Sequence, residues 1–501
     1  MTLPLADVGE DPSFDPATGE RTGGVAHSTP EEVARVLDLA ERAAPRLSAA
    51  SPVARETWVA AAADAVLAAS AELVDLARAE TGLGPDRLEG ELARMAASAR
   101  FYAAAAVEGS YLGVSRDDLP GGSSLVRWNI PVGVVAVFGA SNFPFGFGIF
   151  GHDVASALAA GCPVVVKAHP AHPRLSVRLG AIVRGALRDA SAPDGCFDVV
   201  VGFDSGLRLV DSPVVRAVAF TGSQRGGMAL VERAARRGVP VFAEMGTVNP
   251  VLVTPAAASD RGAIARGFVD SFTLGAGQFC TKPGLILVPA GHGFVDSIAE
   301  AVSRVQAAPL LTAAIAAAYE GGVSQLVAAS EGAPATGVTE PLPGFSAAAR
   351  AIPVALDRLT PGSRLLEECF GPVALVAEYD DLESALAALD RLQPSLAASV
   401  FTGEDDADAA DAIARLTGRV GRVAVNSWPT GVATTWSQQH GGPWPATSRP
   451  EATSVGAGAL SRFVRPVSLQ NASTDQLPAP LRPENPWKLP RRLNGRPTLP
   501  H

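Results

Sequence analysis

Cys280 closes the run Gly275-Ala276-Gly277-Gln278-Phe279-Cys280, in which two glycines keep the approach to the sulfur free of bulky side chains. A thiol so placed can attack an electrophilic carbon once a neighbouring charge or base draws off its proton. The alternative is a small apolar filler, since free cysteine is among the most buried residue types. Lys282, two residues on, is placed either to lower the pKa of the thiol or to point into solvent. With Lys167 and Lys488 it is one of only three lysines among 41 basic side chains. A chain that writes nearly every cation as Arg marks with Lys a position suited to a compact point charge.

Two glycine loops offer sites for a phosphate. Gly146-Phe147-Gly148-Ile149-Phe150-Gly151 is a literal GxGxxG between a strand and a helix. Its middle positions are bulky, Asn142-Phe143-Pro144 intervenes before the glycines, and no acidic residue ends the next strand, which reads Val166-Lys167-Ala168-His169-Pro170. The second loop, Phe220-Thr221-Gly222-Ser223-Gln224-Arg225-Gly226-Gly227, also joins a strand to a helix, where exposed amides and the Ser223 hydroxyl suit a phosphate. Either loop could equally be a tight strand-to-helix turn.

At 501 residues, 47% of them hydrophobic, the chain exceeds one core and calls for two or three domains. A net charge of −10 with no basic, aromatic-rich stripe argues against a nucleic-acid partner. The four cysteines, Cys162, Cys196, Cys280 and Cys369, show no metal-ligand spacing and point to a reducing compartment. The first twenty residues, with Asp7, Glu10, Asp11, Asp15 and Glu20, lack the basic start and apolar centre of a signal peptide. No run of eighteen apolar residues is present, so the expectation is a cytoplasmic protein with no membrane partner.

Residues 30–107 carry helical spacing, broken at Gly82 to Pro85. Strands are expected at 125–129, 132–138, 163–167, 196–201 and 217–221, with helices at 150–160 and 175–189 between them. That alternation makes βαβ units of a doubly wound α/β sheet, and the apolar runs 250–253 and 285–288 start a second one. The tail from Leu477, with five prolines before Arg491, reads as too broken for a core element and is expected along a surface or a neighbouring subunit.

Asn142-Phe143-Pro144, Lys167, Phe220-Thr221-Gly222-Ser223, Glu244-Met245-Gly246, Gly277-Gln278-Phe279-Cys280 and Glu368-Cys369-Phe370-Gly371-Pro372 stand in the order and approximate spacing of the aldehyde dehydrogenase superfamily. The chain resembles that superfamily over nearly its whole length. Lys167-Ala168-His169-Pro170-Ala171-His172-Pro173, Glu244 to Pro250 and His440-Gly441-Gly442-Pro443 are similar to the branch of α-ketoglutaric semialdehyde (2,5-dioxopentanoate) dehydrogenases, and to an NADP-dependent long-chain type.

The resemblance implies roles. Cys280 is the thiol that attacks the aldehyde to give a thiohemiacetal. The Asn142 amide and the Cys280 backbone N–H are the oxyanion donors, and Glu244 is the base that activates water against the thioester. Apolar Val241, Phe242 and Met245 would lift the pKa of Glu244, which could otherwise be a salt-bridged strand-end residue. Lys167 and Ser223, with Gly222 and Gly227 of the same loop, match cofactor contacts; Glu368 matches the holder of the nicotinamide ribose, with Phe370 near the ring. His169-Pro170 stands where NAD users often carry a Glu for the ribose 2′-hydroxyl, so NADP is the expected cofactor with NAD use open, and His169 is either a phosphate contact or a positioned loop residue. Cys369 and Cys162 read as structural. Thr247-Val248 departs from the Gly-Lys of many superfamily members and leaves the base intact.

The implied architecture is two doubly wound Rossmann-type domains plus a small β oligomerisation element. Residues 1–115 and 130–248, with a return segment near 445–470, would form the cofactor domain; 249–444 the catalytic domain; 116–129 and 471–501 the element that makes a homodimer or homotetramer. The leading substrate is a carboxylate-bearing semialdehyde, α-ketoglutaric semialdehyde giving 2-oxoglutarate, with Arg94, Arg100 and His152 as candidate cations. The alternative is a long-chain or aromatic aldehyde in an apolar tunnel of Phe143, Phe145, Phe147 and Phe150. A catalytically silent structural or ligand-binding protein, and a cofactor-independent thiol esterase, are the readings of another kind.

Overall fold

Val134–Phe138 is apolar at every position, as a strand covered on both faces requires, and it forms the centre of the first sheet. In the computed structural model, which describes residues 9–339 and 343–499, its parallel neighbours are Val164–Lys167 and Val215–Gly222. Phe197–Val200 and Val241–Met245 complete five parallel strands. The helices Pro30–Ala49, Pro52–Ala68 and Pro85–Glu108, with His152–Ala160 and Pro173–Asp189, bury their apolar stripes against this sheet and one another. Asp7 lies among the first eight residues, outside the described ones, as do the last two residues of the tail.

The second sheet has seven strands, in which Asn249–Val253 pairs in parallel with Pro283–Pro289 and with Ser395–Phe401. Val373–Tyr379 and Val420–Val425 extend it on the two sides, and the short Ala335–Thr336 adds an antiparallel edge. Asn249 stands where the chain passes from the first sheet to the second, fully buried. Its Nδ2 donates to the carbonyls of Cys280 (2.8 Å) and Lys282 (2.9 Å), tying the nucleophile's turn to the start of its strand.

A third, largely antiparallel sheet of five strands is built from Val114–Asp118, Ser124–Pro131, Val464–Gln470, Arg491–Leu493 and Arg496–Thr498. Two expectations change here. Val464–Gln470, assigned to the return segment of the cofactor domain, pairs along its length with Ser124–Pro131. The proline-rich tail is more than a surface strap: Leu477, Leu481 and Leu489 are buried with Leu112, Val114 and Val126 in a core of their own. The prolines space short turns that deliver one leucine at a time to that core. No helix among the described residues is long and apolar enough to cross a membrane.

Candidate active site

The helix Arg261–Thr273 ends in a turn where Gly275, Ala276 and Gly277 all take left-handed backbone, with φ of 57°, 56° and 68°. Gly277 has no alternative, because a Cβ there would lie 2.3 Å from the Gly371 backbone. Gly277 thus serves a backbone-to-backbone contact between the thiol turn and the Glu368–Pro372 loop, whereas a Cβ on Gly275 would run into the Arg87 guanidinium and the Phe279 ring. Lys282 does neither of the things its spacing suggested. It is 4% exposed, and its ammonium donates to the carbonyls of Cys369 (2.9 Å), Gly371 (3.0 Å) and Val373 (2.7 Å), clamping the same loop from below.

Asn142 follows the central strand of the first sheet and is 8% exposed. Its Nδ2 donates to the Gln278 carbonyl at 2.8 Å, so the side-chain amide sits beside the peptides leading into Cys280. Arg87 braces the arrangement: one nitrogen donates to the Asn142 carbonyl at 2.9 Å, and the guanidinium lies 5.0 and 4.8 Å from the ring centroids of Phe143 and Phe279. The amides of Phe145 and Gly146 donate to the buried Glu91 carboxylate at 3.0 and 2.9 Å. The literal GxGxxG is therefore committed to a protein carboxylate at its start.

Across the cleft, Nε2 of His440 lies 3.7 Å from the Cys280 sulfur. Burial holds this imidazole down at about 4, with Arg422 and Arg462 adding to the effect, so it is neutral and its ring nitrogens can exchange donor and acceptor roles. Burial also pushes the Cys280 thiol up to about 12, helped by the Glu368 and Glu244 carboxylates. Glu244, on the strand Val241–Met245, is 6% exposed and raised well above the usual carboxylate range by burial; Arg462 opposes the rise. Its Oε2 has no hydrogen-bond partner and its Oε1 lies 3.6 Å from the Cβ position of Gly441, next to His440. Beneath, the buried pair Arg462–Asp153 (2.7 Å) sets the local field. The sequence marks His440 only as part of the His440-Gly441-Gly442-Pro443 motif, because a residue 160 positions from the thiol has no periodic signal linking the two.

The loop after the strand Val215–Gly222 starts the helix Gln224–Ala235, and Ser223 caps it, its Oγ accepting from the Gly226 amide at 3.2 Å. The first amides of the helix, as at any helix start, have no acceptor within it, so this end could hold an anion. Gly222 is exposed at this end, whereas Gly227 is buried one turn in, where a Cβ would meet the Met245 sulfur at 2.7 Å; its role is helix-to-strand packing. Lys167 is half-buried, its ammonium's pKa lowered by burial and supported by Asp11. Asp11 is held by His27 at 3.0 Å. His169 accepts from the Ala171 amide through Nδ1 (3.1 Å), and burial with His172 and Lys167 holds its pKa well below normal. It therefore offers a hydrogen bond, and Lys167 supplies the charge. The Glu368 carboxylate lies in the space left by Gly246, whose Cβ would sit 2.0 Å from Oε2. Burial raises that carboxyl to about 7 against the fields of Lys282 and Arg364, and among the described residues no donor reaches it. A half-buried acceptor without a donor, next to half-buried Phe370, fits the hydroxyls of a nucleotide ribose.

The remaining candidates separate. Phe145 and Phe150 are fully buried in the main core and line no tunnel, while Phe143 and Phe147 pack with Ala140, Val432 and Val455 beside the thiol. Arg100 is paired with Asp64 on the outer surface. His152 is buried, bonded to the Tyr102 hydroxyl at 2.8 Å and held at about 3 by burial, so it carries no cation. Arg94 is exposed. Cys162, Cys196 and Cys369 are buried free thiols. No group of His, Cys, Asp and Glu among the described residues could hold a metal ion.

The model of the aldehyde dehydrogenase family matches residues 7–443. Alpha-ketoglutaric semialdehyde dehydrogenase 2 of Azospirillum brasilense is 41% identical, covering 97% of this chain and 95% of its own length. Alpha-ketoglutaric semialdehyde dehydrogenase of Acinetobacter baylyi is 38% identical over 85% and 83%. Among solved structures, lactaldehyde dehydrogenase from Escherichia coli superposes with a TM-score of 0.82 at 24% identity, covering 94% of this chain and 97% of its own. An NAD-dependent aldehyde dehydrogenase from Sinorhizobium meliloti gives 0.80 at 25% identity, covering 92% and 91%. A family model over most of the chain and relatives at 41% and 38% identity over most of its length show that the chain belongs to the aldehyde dehydrogenase family and is an NAD(P)-dependent aldehyde dehydrogenase.

Proposed function

We propose that the protein oxidises α-ketoglutaric semialdehyde to 2-oxoglutarate with a preference for NADP. The observation that carries the chemistry is the Cys280 sulfur 3.7 Å from a neutral His440, on a turn that also touches Asn142. The two relatives at 41% and 38% identity, both named for this semialdehyde, support the substrate.

Nε2 of His440 accepts the thiol proton as the sulfur bonds to the aldehyde carbon. The oxygen of the thiohemiacetal receives hydrogen bonds from the Asn142 amide and the Cys280 backbone N–H, a type of contact whose loss costs about 10²–10³ in rate. A bound nicotinamide would supply the acceptor for the hydride of this carbon, leaving a thioester on Cys280. Glu244 then removes a proton from water as its oxygen adds to the thioester carbonyl; the adduct breaks its C–S bond, the Cys280 thiolate takes back the proton held by His440, and the acid product and Glu244 each release a proton to solvent. Glu368, seated in the space Gly246 leaves, would hold the ribose, and Lys167 with the start of the Gln224–Ala235 helix would hold the phosphates. The absence of a carboxylate directly after Lys167, where His169-Pro170 stands, favours NADP.

The chain works in the cytoplasm as a homodimer or homotetramer, with the small sheet as the joining element; light scattering of the purified protein reads the assembly. A second reading, oxidation of longer or aromatic aldehydes, draws on the apolar wall of Phe143, Phe147 and Val432.

The test is the initial rate with NADP⁺ and with NAD⁺ across α-ketoglutaric semialdehyde, succinic semialdehyde, hexanal and benzaldehyde, with Cys280→Ala as control. Highest kcat/KM for the keto acid with NADP⁺, lost in the variant, is expected. Faster hexanal or benzaldehyde turnover replaces the substrate, and no Cys280-dependent turnover of any aldehyde overturns the reading.

A further inference from the structure

The helix Pro85–Glu108 brings Arg87, Glu91, Arg94 and Ser98 onto one face, at spacings of four, three and four residues. Three of them are already committed. Arg87 donates to the Asn142 carbonyl at 2.9 Å, Glu91 accepts the Phe145 and Gly146 amides at 3.0 and 2.9 Å, and Ser98 shares a 2.8 Å hydrogen bond with Thr434. Arg94 stands between Glu91 and Ser98. It therefore lies over the gap between the Asn142–Gly146 segment and the segment that carries Thr434. Both segments run to the nucleophile: Asn142 bonds the Gln278 carbonyl at 2.8 Å, and the Gly431 amide donates to Thr281 Oγ1 at 3.2 Å.

Arg94 is exposed, and among the described residues its guanidinium has no hydrogen-bond acceptor and no ion-pair partner, whereas Arg100 is paired with Asp64. The side chain leans back along the helix, as helical side chains do, so that a Cβ on Gly90 would meet its Nη1 at 3.1 Å. It lies along the helix surface, near enough to Glu91 and Arg87 for its charge to act on both. The walls of the cleft are apolar close to the thiol, with Phe143 4.9 Å from Phe279 and 5.9 Å from Phe147 between ring centroids. A carboxylate entering such a cleft loses hydration and needs a cation with free donors. The other arginines near the thiol are occupied: Arg87 as above, and Arg422 by the Pro429 and Gly431 carbonyls.

We propose that Arg94 binds the far carboxylate of an ω-semialdehyde acid while its aldehyde reaches Cys280, making Arg94 the residue that selects acidic over neutral aldehydes. This rests on the semialdehyde reading above. Arg94 is unpaired and at the surface of its helix, so its replacement leaves the packing intact.

The full-length enzyme is assayed as wild type, Arg94→Met and Arg94→Lys, with α-ketoglutaric semialdehyde and hexanal, and the ratio of their kcat/KM values is compared. A ratio lower by roughly ten-fold or more in Arg94→Met, arising in KM for the semialdehyde and partly recovered in Arg94→Lys, is expected for loss of a charge-assisted contact. An unchanged ratio in Arg94→Met, in an enzyme whose wild type prefers the semialdehyde, overturns Arg94 and leaves the substrate reading standing. A wild type that prefers hexanal overturns the substrate reading, and Arg94 with it, before any variant is compared.

Discussion

The carboxylate of Glu368 lies where a side chain at Gly246 would be: a Cβ on Gly246 would sit 2.0 Å from Oε2. Gly246 follows the Val241–Met245 strand of the first sheet and Glu368 precedes the Val373–Tyr379 strand of the second, so a glycine beside the Glu244 strand sets the position of a carboxylate in the other half of the cleft. Gly246→Ala should push Glu368 out of place, raising KM for the dinucleotide ten-fold or more while lowering stability by about 1–3 kcal/mol through overpacking. Cofactor titration by fluorescence and a melting curve separate the two effects; an unchanged cofactor KM would show that Glu368 does not hold the ribose.

Burial raises Glu368 to about 7. Below that pH the carboxyl is protonated and loses acceptor capacity, so the affinity for cofactor should rise with pH through about 7 and level off above it. Isothermal titration between pH 5.5 and 8.5 measures this, and Glu368→Gln should flatten the profile.

The Cys280 thiol, pushed up to about 12 in the resting enzyme, should be alkylated slowly by iodoacetamide at pH 7, with a rate that climbs continuously through pH 9. His440→Gln removes the acceptor 3.7 Å from the sulfur and should slow the formation of reduced cofactor in the first turnover by ten-fold or more. Stopped-flow absorbance reads that step directly, and an unaltered first turnover would leave His440 a packing residue.

Glu244→Gln should preserve a burst of reduced cofactor close to one per site and lower the steady rate by about 10²–10⁴, the span typical of a lost general base. Stability should move the other way. A carboxyl raised above its ordinary value of 4.5 favours the fold while protonated and disfavours it as pH climbs through the raised value. The variant should therefore gain about 1–3 kcal/mol over wild type at pH 8, and the gain should shrink toward pH 5. Urea denaturation at both pH values checks the sign.

Lys282→Met leaves the carbonyls of Cys369, Gly371 and Val373 without their shared buried donor. A loss of about 3 kcal/mol is expected, with cofactor binding weakened through the displaced Glu368 loop. Calorimetry of the apo and cofactor-saturated protein tests both parts.

The alternation of apolar strands with helices was legible along the chain, because a strand buried on both faces must be apolar throughout and a covering helix must repeat its apolar positions every three to four residues. The order of the motifs around Asn142, Lys167, Ser223, Glu244, Cys280 and Glu368 likewise identified the family. Local composition failed where a residue's partner is remote in sequence. Lys282 read as a charge for the nucleophile or a side chain in solvent and is a clamp on carbonyls almost ninety residues away. Gly227 looked like a phosphate contact and is the packing surface for Met245.

The same reason divides the phenylalanines and the tail. Phe143, Phe145, Phe147 and Phe150 are alike in type, and only the path of the backbone through the turn turns Phe145 and Phe150 into the core and leaves the other pair by the thiol. The leucines among the tail's prolines gain a core only because Val114 and Val126 are brought to them. Residue types and their order thus determined which chemistry the chain carries and which sheets it builds. Which side chains share the cleft, His440 beside Cys280 and Glu368 beside Gly246, was decided by the meeting of two separate sheets, since contact, desolvation and field depend on distance in space and not on distance along the chain.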